Sequence, residues 1–197
     1  AEPFLDYSFL LDQFRGENVD LVEMLTLRHP LVTEQDGNNY LARLALLDDR
    51  MEQSIAEAKR LTAKKMIPPR FIVEATLKSM RTFSDSPPSQ NPLVTVLTEK
   101  MAAIDGIAPA AREKMQRQAV SLVEKEVYPS WQRAIRLLDS ILTQSTNDAG
   151  LWRLEGGDRA YAYALERFTT TTMTPDEIHD IGLQQVAAIE AQMDKIL

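Results

Sequence analysis

The sequence lacks cysteine altogether and has only two histidines, His29 and His179, far apart in the chain. Without cysteine there can be no disulfide, no thiolate nucleophile and no cysteine-ligated zinc. Zinc hydrolases that use two histidines one helical turn apart are also excluded for these residues. Glycine is scarce, with 7 residues, and neither G-x-S-x-G nor a phosphate-loop spacing occurs. The sequence therefore predicts no catalytic residue and no metal ligand in this chain.

Two further features are missing, namely a basic cluster and a long apolar run. The net charge is −7, and acidic and basic residues alternate along the chain. A nucleic-acid surface needs clustered Lys and Arg to displace counterions, so we expect no nucleic-acid partner. No apolar run approaches the roughly 20 residues of a membrane-spanning helix, so we expect no transmembrane segment.

Apolar residues recur at spacings of three and four along most of the chain, which predicts an all-α fold. We expect an array of antiparallel helices. Thr33 begins a long first helix whose apolar stripe runs from Tyr40 to Leu61. The longest pattern runs from Pro109 to about Ser145, with Pro129 inside it. Because an interior proline removes a backbone hydrogen bond, we predict a kink or break near Tyr128.

The domain organisation predicted is one helical segment, 1–197, with candidate sub-boundaries at the proline-rich loop 84–92 and the connector 143–150. The apolar run from Phe4 to Phe14 should be buried against something. Thr174 begins a last helix whose apolar residues continue to Leu197 without a cap. We interpret the chain as a fragment of a larger helical protein.

Residues 151–182 contain the densest aromatic cluster together with one of the histidines. Gly156 and Gly157 indicate a turn into a helix capped by Asp158. If the chain contacts a substrate, we predict that the residues doing so are Trp152, Arg153, Tyr161, Tyr163 and His179. The aromatic rings offer apolar contact or hydroxyl donors, and the arginine could bind a carboxylate. The aromatic residues and the histidine also have a structural interpretation: core packing for the aromatic residues, and a partly buried position at the core edge for the histidine.

Several stretches of the chain resemble one bacterial family in collinear order. They are YLARLALLDDRMEQSIAEAKR (40–60), IPPRFIVEATLKSM (67–80), NPLVTVLTEKM (91–101), VYPSWQRAIRLLDSIL (127–142) and GLWRLEGGDRAYAYALERFTTTTMTPDEIHDIGLQQVAAIEAQMDKI (150–196). Together they resemble the bacterial domain of unknown function 885 family. The resemblance spans nearly the whole chain.

This resemblance implies an all-α protein of several hundred residues, akin to zinc-dependent metallopeptidases. The zinc motif of such proteins, an H-E-x-x-x-H-like helix, follows the region that resembles this chain, so no metal ligand transfers to these residues. Zinc is expected only in the full-length protein. Many members are exported or lipoproteins, which suggests a periplasmic or envelope location.

Two functions stay open at this point. The first is the non-catalytic helical portion of a zinc-dependent, peptidase-like hydrolase that forms part of a substrate-cleft wall. Its partners would be the rest of its own polypeptide and a peptide substrate. The second is a self-contained helical interaction or scaffold domain without catalysis, which needs an exposed apolar patch.

Overall fold

The computed structural model describes residues 4–196, which form helices and turns with no strand among them. The all-α prediction is confirmed. The α-helices are α1 Glu17–Glu23, α2 Glu34–Leu44, α3 Leu47–Ala63, α4 Arg70–Asp85, α5 Pro92–Ala102, α6 Pro109–Leu122, α7 Tyr128–Leu142, α8 Gly157–Thr169 and α9 Pro175–Met193. Shorter 3₁₀ and π-helical turns connect some of them.

The described residues divide into two compact units. One comprises residues 5–148 with α1 to α7, and the other comprises Phe4 and residues 149–196 with α8 and α9. The sub-boundaries proposed at 84–92 and 143–150 stay predictions. Among residues 4–196, no helix combines the length and the apolar content that crossing a membrane requires.

The larger unit is organised around α7, which packs against both α3 and α4. Trp131 on α7 is buried, and its ring lies 5.1 Å from that of Phe83 on α4, measured between centroids. Tyr40 on α2 is also buried and donates its hydroxyl to the Leu93 carbonyl at 2.8 Å. Burial raises the pKa of Tyr40 well above its ordinary value, so the hydroxyl keeps its proton and its hydrogen bond.

Ion pairs at the surface connect the same helices. Arg133 on α7 binds Asp48 and Glu52 on α3, and Arg81 on α4 binds Asp139 on α7 at 2.6 Å. Exposed pairs of this kind each contribute little to stability. Burial of the apolar residues is therefore the main source of cohesion.

Helix starts follow local sequence signals. The Thr33 hydroxyl accepts from the Asp36 amide at 3.1 Å while the Asp36 carboxylate accepts from the Thr33 amide at 2.9 Å, which completes a capping box. Proline occupies the first position of α5, α6 and α9, where its missing N–H costs nothing. The π-helical turn Met24–Arg28 ends before His29-Pro30, because the residue before a proline is disfavoured in the helical region.

The first long helix was predicted without the interruption that the structure has. The chain turns at Ala45 and Leu46, which separates α2 from α3. Leu44 and Leu47 on either side are both buried, so the apolar stripe continues through the turn. No proline or glycine marks the position, and periodicity alone could not show it.

Pro129 is accommodated by a π-helical turn, Val123–Val127, which lies between α6 and α7. The Tyr128 amide donates to the Val123 carbonyl, one residue farther back than in an α-helix. This wider turn lies where a kink or break was predicted, and the chain does not break there, because Val127 and Tyr128 both keep helical backbone angles. The helical path continues through it.

The apolar run at the start of the chain is only partly buried. Leu11 lies in the core, but the ring of Phe14 is 78% exposed. The prediction of burial is therefore wrong at Phe14. The side chain of Leu5 and the end of the chain at Leu197 lie outside the described residues.

Candidate functional site

The stretch that was singled out in the sequence begins with a 3₁₀ turn, Leu151–Arg153, which packs against α8. Gly156 adopts a left-handed φ of 73°, and a Cβ on Gly157 would collide with the Leu151 carbonyl. The Gly-Gly pair is thus a structural turn, as predicted. The predicted cap is wrong, because Gly156 occupies the cap position and Asp158 lies inside the first turn of α8.

Two of the predicted aromatic contact residues are on the surface. The side chain of Trp152 is 69% exposed and that of Tyr161 is 47% exposed. Core packing, the structural alternative for both, is therefore wrong. Large exposed aromatic side chains can cover an apolar ligand and still donate a hydrogen bond at their polar end.

Arg153 and Tyr163 are half-buried. The Tyr163 ring contacts Phe4, with centroids 5.5 Å apart. Tyr163 therefore has a packing role in this unit, and only part of its ring is free to meet a ligand.

His179 is exposed on α9, one residue after Ile178. The structural alternative, a partly buried histidine at the core edge, is wrong. Trp152, Tyr161 and His179 are all exposed, and no backbone hydrogen bond joins them to one another in the part of the chain that is described. The structure thus presents accessible side chains, without a preassembled acid–base pair among these three.

Helix α9 has a well-formed start and no buried residue. Thr174 and Glu177 make a capping box, in which hydrogen bonds from the Thr174 amide and hydroxyl hold the pKa of Glu177 below its ordinary value. From Ile181 onward the apolar stripe of α9 is exposed, and it continues past the end of the helix to Ile196. Its exposed members are Ile181 at 42%, Val186 at 54%, Ile189 at 53%, Met193 at 54% and Ile196 at 84%.

Such a stripe is the pattern of a helix that buries one face against a neighbour. Here that face is accessible. We call these five residues the α9 stripe.

No group of three His, Cys, Asp or Glu side chains in residues 4–196 is arranged to hold a metal ion. Asp and Glu are abundant, but they pair with arginine or face solvent instead of converging. The described residues therefore do not fit a zinc site.

His29 was not among the residues predicted to contact a substrate. His29 is buried, its Nε2 lies 3.0 Å from the Asp36 carbonyl oxygen, and its Nδ1 lies 2.8 Å from an Arg43 nitrogen. These partners come from the next helix, and no local pattern around His29 could have named them.

Comparison with known proteins places the fold in context. A model of the family described as "Bacterial protein of unknown function (DUF885)" matches residues 5–197. No curated protein gives a significant match. Among solved structures, the chain is similar to one described as "the putative lipoprotein from Colwellia psychrerythraea", with 25% identity and a TM-score of 0.91.

That similarity covers 96% of this chain but only 32% of the Colwellia chain. This chain thus spans about a third of the length of the structure that it matches.

Proposed function

The chain belongs to the DUF885 family of bacterial proteins, and from that premise we propose that it forms the non-catalytic helical part of a larger zinc-dependent, peptidase-like hydrolase. In that protein, residues 149–196 would supply part of a substrate-cleft wall. The observation that carries the proposal is the exposed α9 stripe.

Five large apolar side chains in one row on an otherwise well-capped helix imply a partner surface. Burying apolar area is favourable by about 25 cal/mol per Å², so leaving this row in water forgoes several kcal/mol. We infer that the rest of the same polypeptide covers this row of side chains. The Colwellia chain, about three times as long as the segment it shares with this chain, supports that assignment.

The substrate role falls to the predicted contact residues. Trp152 and Tyr161 offer exposed aromatic surface, Arg153 would bind a carboxylate of a peptide, and Tyr163 and His179 would contribute hydrogen bonds. Zinc has no fitting ligands in residues 4–196, so its ligands would lie in the rest of the polypeptide. The printed description of the Colwellia protein as a lipoprotein supports an envelope location.

The test uses a polypeptide that continues this chain, loaded with zinc and assayed on a set of short peptides. We expect Trp152→Ala to raise KM by about fivefold to thirtyfold with little change in kcat, because it removes binding surface and no reacting group. Tyr161→Phe and His179→Ala should give smaller increases in KM.

Val32→Ala is the control, since Val32 is 70% exposed, apolar and part of residues 5–148. It should leave KM and kcat unchanged. A long polypeptide that hydrolyses no peptide would overturn the hydrolase proposal. Equal kinetics for Trp152→Ala and Val32→Ala would remove the substrate role of the aromatic residues.

The same α9 stripe supports a second candidate, a helical interaction domain that catalyses nothing. This candidate predicts that the 197-residue chain binds a separate protein through α9. Light scattering, which measures molar mass, separates the two candidates when it is applied to the isolated chain and to the long polypeptide. Only an interaction domain still exposes the stripe in the long form, so only then should the long form associate through it.

A further inference from the structure

An open cavity of about 370 Å³ lies in the larger unit, lined by α1, the π-helical turn Met24–Arg28, the end of α2 and the start of α3. Its floor is apolar. Leu21 and Leu47 are buried there, Met24 is half-buried, and Leu46 is 55% exposed. Leu46 belongs to the turn that interrupts the first long helix, so this interruption places an apolar side chain at the cavity.

The rim of the cavity carries three arginines, two of which are neutralised by neighbouring acids. Arg28 lies 3.8 Å from Asp20 and 3.3 Å from Glu23, and Arg50 lies 3.6 Å from Glu17. The third, Arg43, forms no ion pair with any carboxylate of residues 4–196. Arg43 is therefore the one arginine of the rim whose guanidinium has no carboxylate partner among the described residues, although the three acids and the three arginines around the cavity balance in number.

His29 holds Arg43 in place without neutralising it. A carbonyl oxygen can only accept, so the 3.0 Å contact with the Asp36 carbonyl requires that the ring proton be on Nε2. In the neutral ring Nδ1 then accepts from the Arg43 guanidinium at 2.8 Å. The histidine is 4% exposed and its ring packs edge-on against Tyr40, so the acceptor is rigid.

We propose that this cavity binds a small apolar monocarboxylate. The carboxylate would lie on the N–H groups of Arg43 that His29 leaves free, because guanidinium and carboxylate match in charge and geometry. The aliphatic part would cover Leu21, Met24, Leu46 and Leu47. The acids Glu17 and Asp20 on the wall disfavour a second negative charge on the ligand.

The size of the cavity bounds the ligand. At roughly 30 Å³ for each water-sized group, 370 Å³ holds about twelve non-hydrogen atoms. Decanoate and N-acetyl-leucine each have about that size. The first represents a fatty acid and the second an acylated amino acid or peptide end. This site lies within residues 5–148 and does not depend on the function proposed for residues 149–196.

The experiment is isothermal titration of the 197-residue chain with each acid and with its neutral counterpart, decan-1-ol or N-acetyl-leucinamide. We expect saturable binding of at least one acid, and binding of its neutral counterpart at least about tenfold weaker, since a charge-assisted hydrogen bond is lost. The acid that binds identifies the source of the ligand. Both arms use the same protein and differ only in the probe.

Arg43→Gln should weaken binding of the acid by about tenfold or more. Arg117→Gln is the matched control, because Arg117 is exposed on α6 and pairs only with Glu113 at 3.4 Å. Leu46→Glu keeps Arg43 and His29 intact and should weaken binding by a similar factor through repulsion of the carboxylate. Circular dichroism and thermal unfolding verify that each variant is folded.

The outcomes are decisive. Loss of binding in Arg43→Gln and Leu46→Glu, with normal binding in Arg117→Gln, supports the site. If neither acid binds, if the neutral counterparts bind as tightly as the acids, or if the folded Arg43→Gln and Leu46→Glu variants bind as the unaltered chain does, the proposal is overturned.

Discussion

At the scale of single residues, the side chain of Asn91 forms hydrogen bonds with residues of three helices, α4, α5 and α7. It is fully buried, its Oδ1 accepts from the Leu93 amide at 3.0 Å, and its Nδ2 donates to the Phe83 carbonyl and the Tyr128 hydroxyl at 3.3 Å each. We expect Asn91→Ala to lower the free energy of unfolding by about 1–3 kcal/mol, because buried partners lose their hydrogen bonds and α5 loses its cap.

Chemical denaturation measures that loss. Asn39→Ala is the control, since Asn39 is exposed and accepts only from Gln35. Its effect should be within about 0.5 kcal/mol. If the two variants lost equal stability, burial of the Asn91 network would not matter.

Asp6 gives a prediction that depends on pH. Hydrogen bonds from Arg60 at 2.5 Å and Lys64 at 2.7 Å hold the pKa of its carboxyl below the ordinary 3.8. A depressed folded pKa means that the stabilisation is fully present above the unfolded value and is lost as pH falls through the folded value. Asp6→Asn should therefore lower Tm at neutral pH. The difference in Tm between this variant and the unaltered chain should disappear well below pH 3.8.

Thermal unfolding from neutral to strongly acidic pH measures this difference in Tm. High salt at neutral pH should narrow it too, because these charges are near solvent. Asp105 lies in an exposed turn without an ion pair among the described residues. Asp105→Asn should therefore show no difference in Tm that disappears at acidic pH. A difference for Asp6→Asn that is independent of pH would contradict the ionic explanation.

At the scale of helices, starts could be predicted from the sequence and the internal break could not. The effects that start a helix at Thr33, Pro92 and Thr174 involve only residues within one helical turn, so a short stretch of sequence is enough to predict them. The turn at Ala45–Leu46 follows from how α2 and α3 pack on other helices. Similarly, His29 meets Arg43 only after the chain has turned, so the cavity that Arg43 borders was not visible in the sequence.

The two capping boxes give a matched pair of tests. Thr33 begins α2, which has buried residues, and Thr174 begins α9, which has none. Removing either cap costs about 0.5–2 kcal/mol of helix stability. We expect Thr33→Ala to lower the global Tm, because α2 folds with the core.

Thr174→Ala should instead leave the global Tm unchanged and speed hydrogen exchange only within residues 175–193, since α9 can open locally. Hydrogen-exchange mass spectrometry on both variants separates the two behaviours. Global destabilisation by Thr174→Ala would mean that α9 is coupled to the core.

At the scale of the whole molecule, the family and the all-α class were predictable, while the exposure of the candidate site residues was not. The family was predicted from collinear motifs between residue 40 and residue 196. Whether Trp152 or Tyr161 lies in a core depends on which surfaces the helices bury, and the spacing of aromatic residues is compatible with either outcome. The same ambiguity affected the α9 stripe, whose pattern indicates a buried face and whose side chains are exposed.

The exposed α9 stripe leads to the last prediction. Ile189→Glu in the 197-residue chain should change the free energy of unfolding by no more than about 0.5 kcal/mol, because Ile189 is 53% exposed. In a polypeptide that continues the chain and covers the stripe, the same substitution should cost about 2 kcal/mol or more, because it removes apolar burial and places a charge in the contact.

Ala191→Glu is the control, because it adds the same charge to the opposite, exposed face of α9. Its effect should be small in both the short and the long polypeptide. Denaturant unfolding of the four variants measures the difference. If Ile189→Glu and Ala191→Glu behaved alike in the long form, the rest of the polypeptide would not cover the stripe. The α9 face would then be free for a separate partner, as an interaction domain requires.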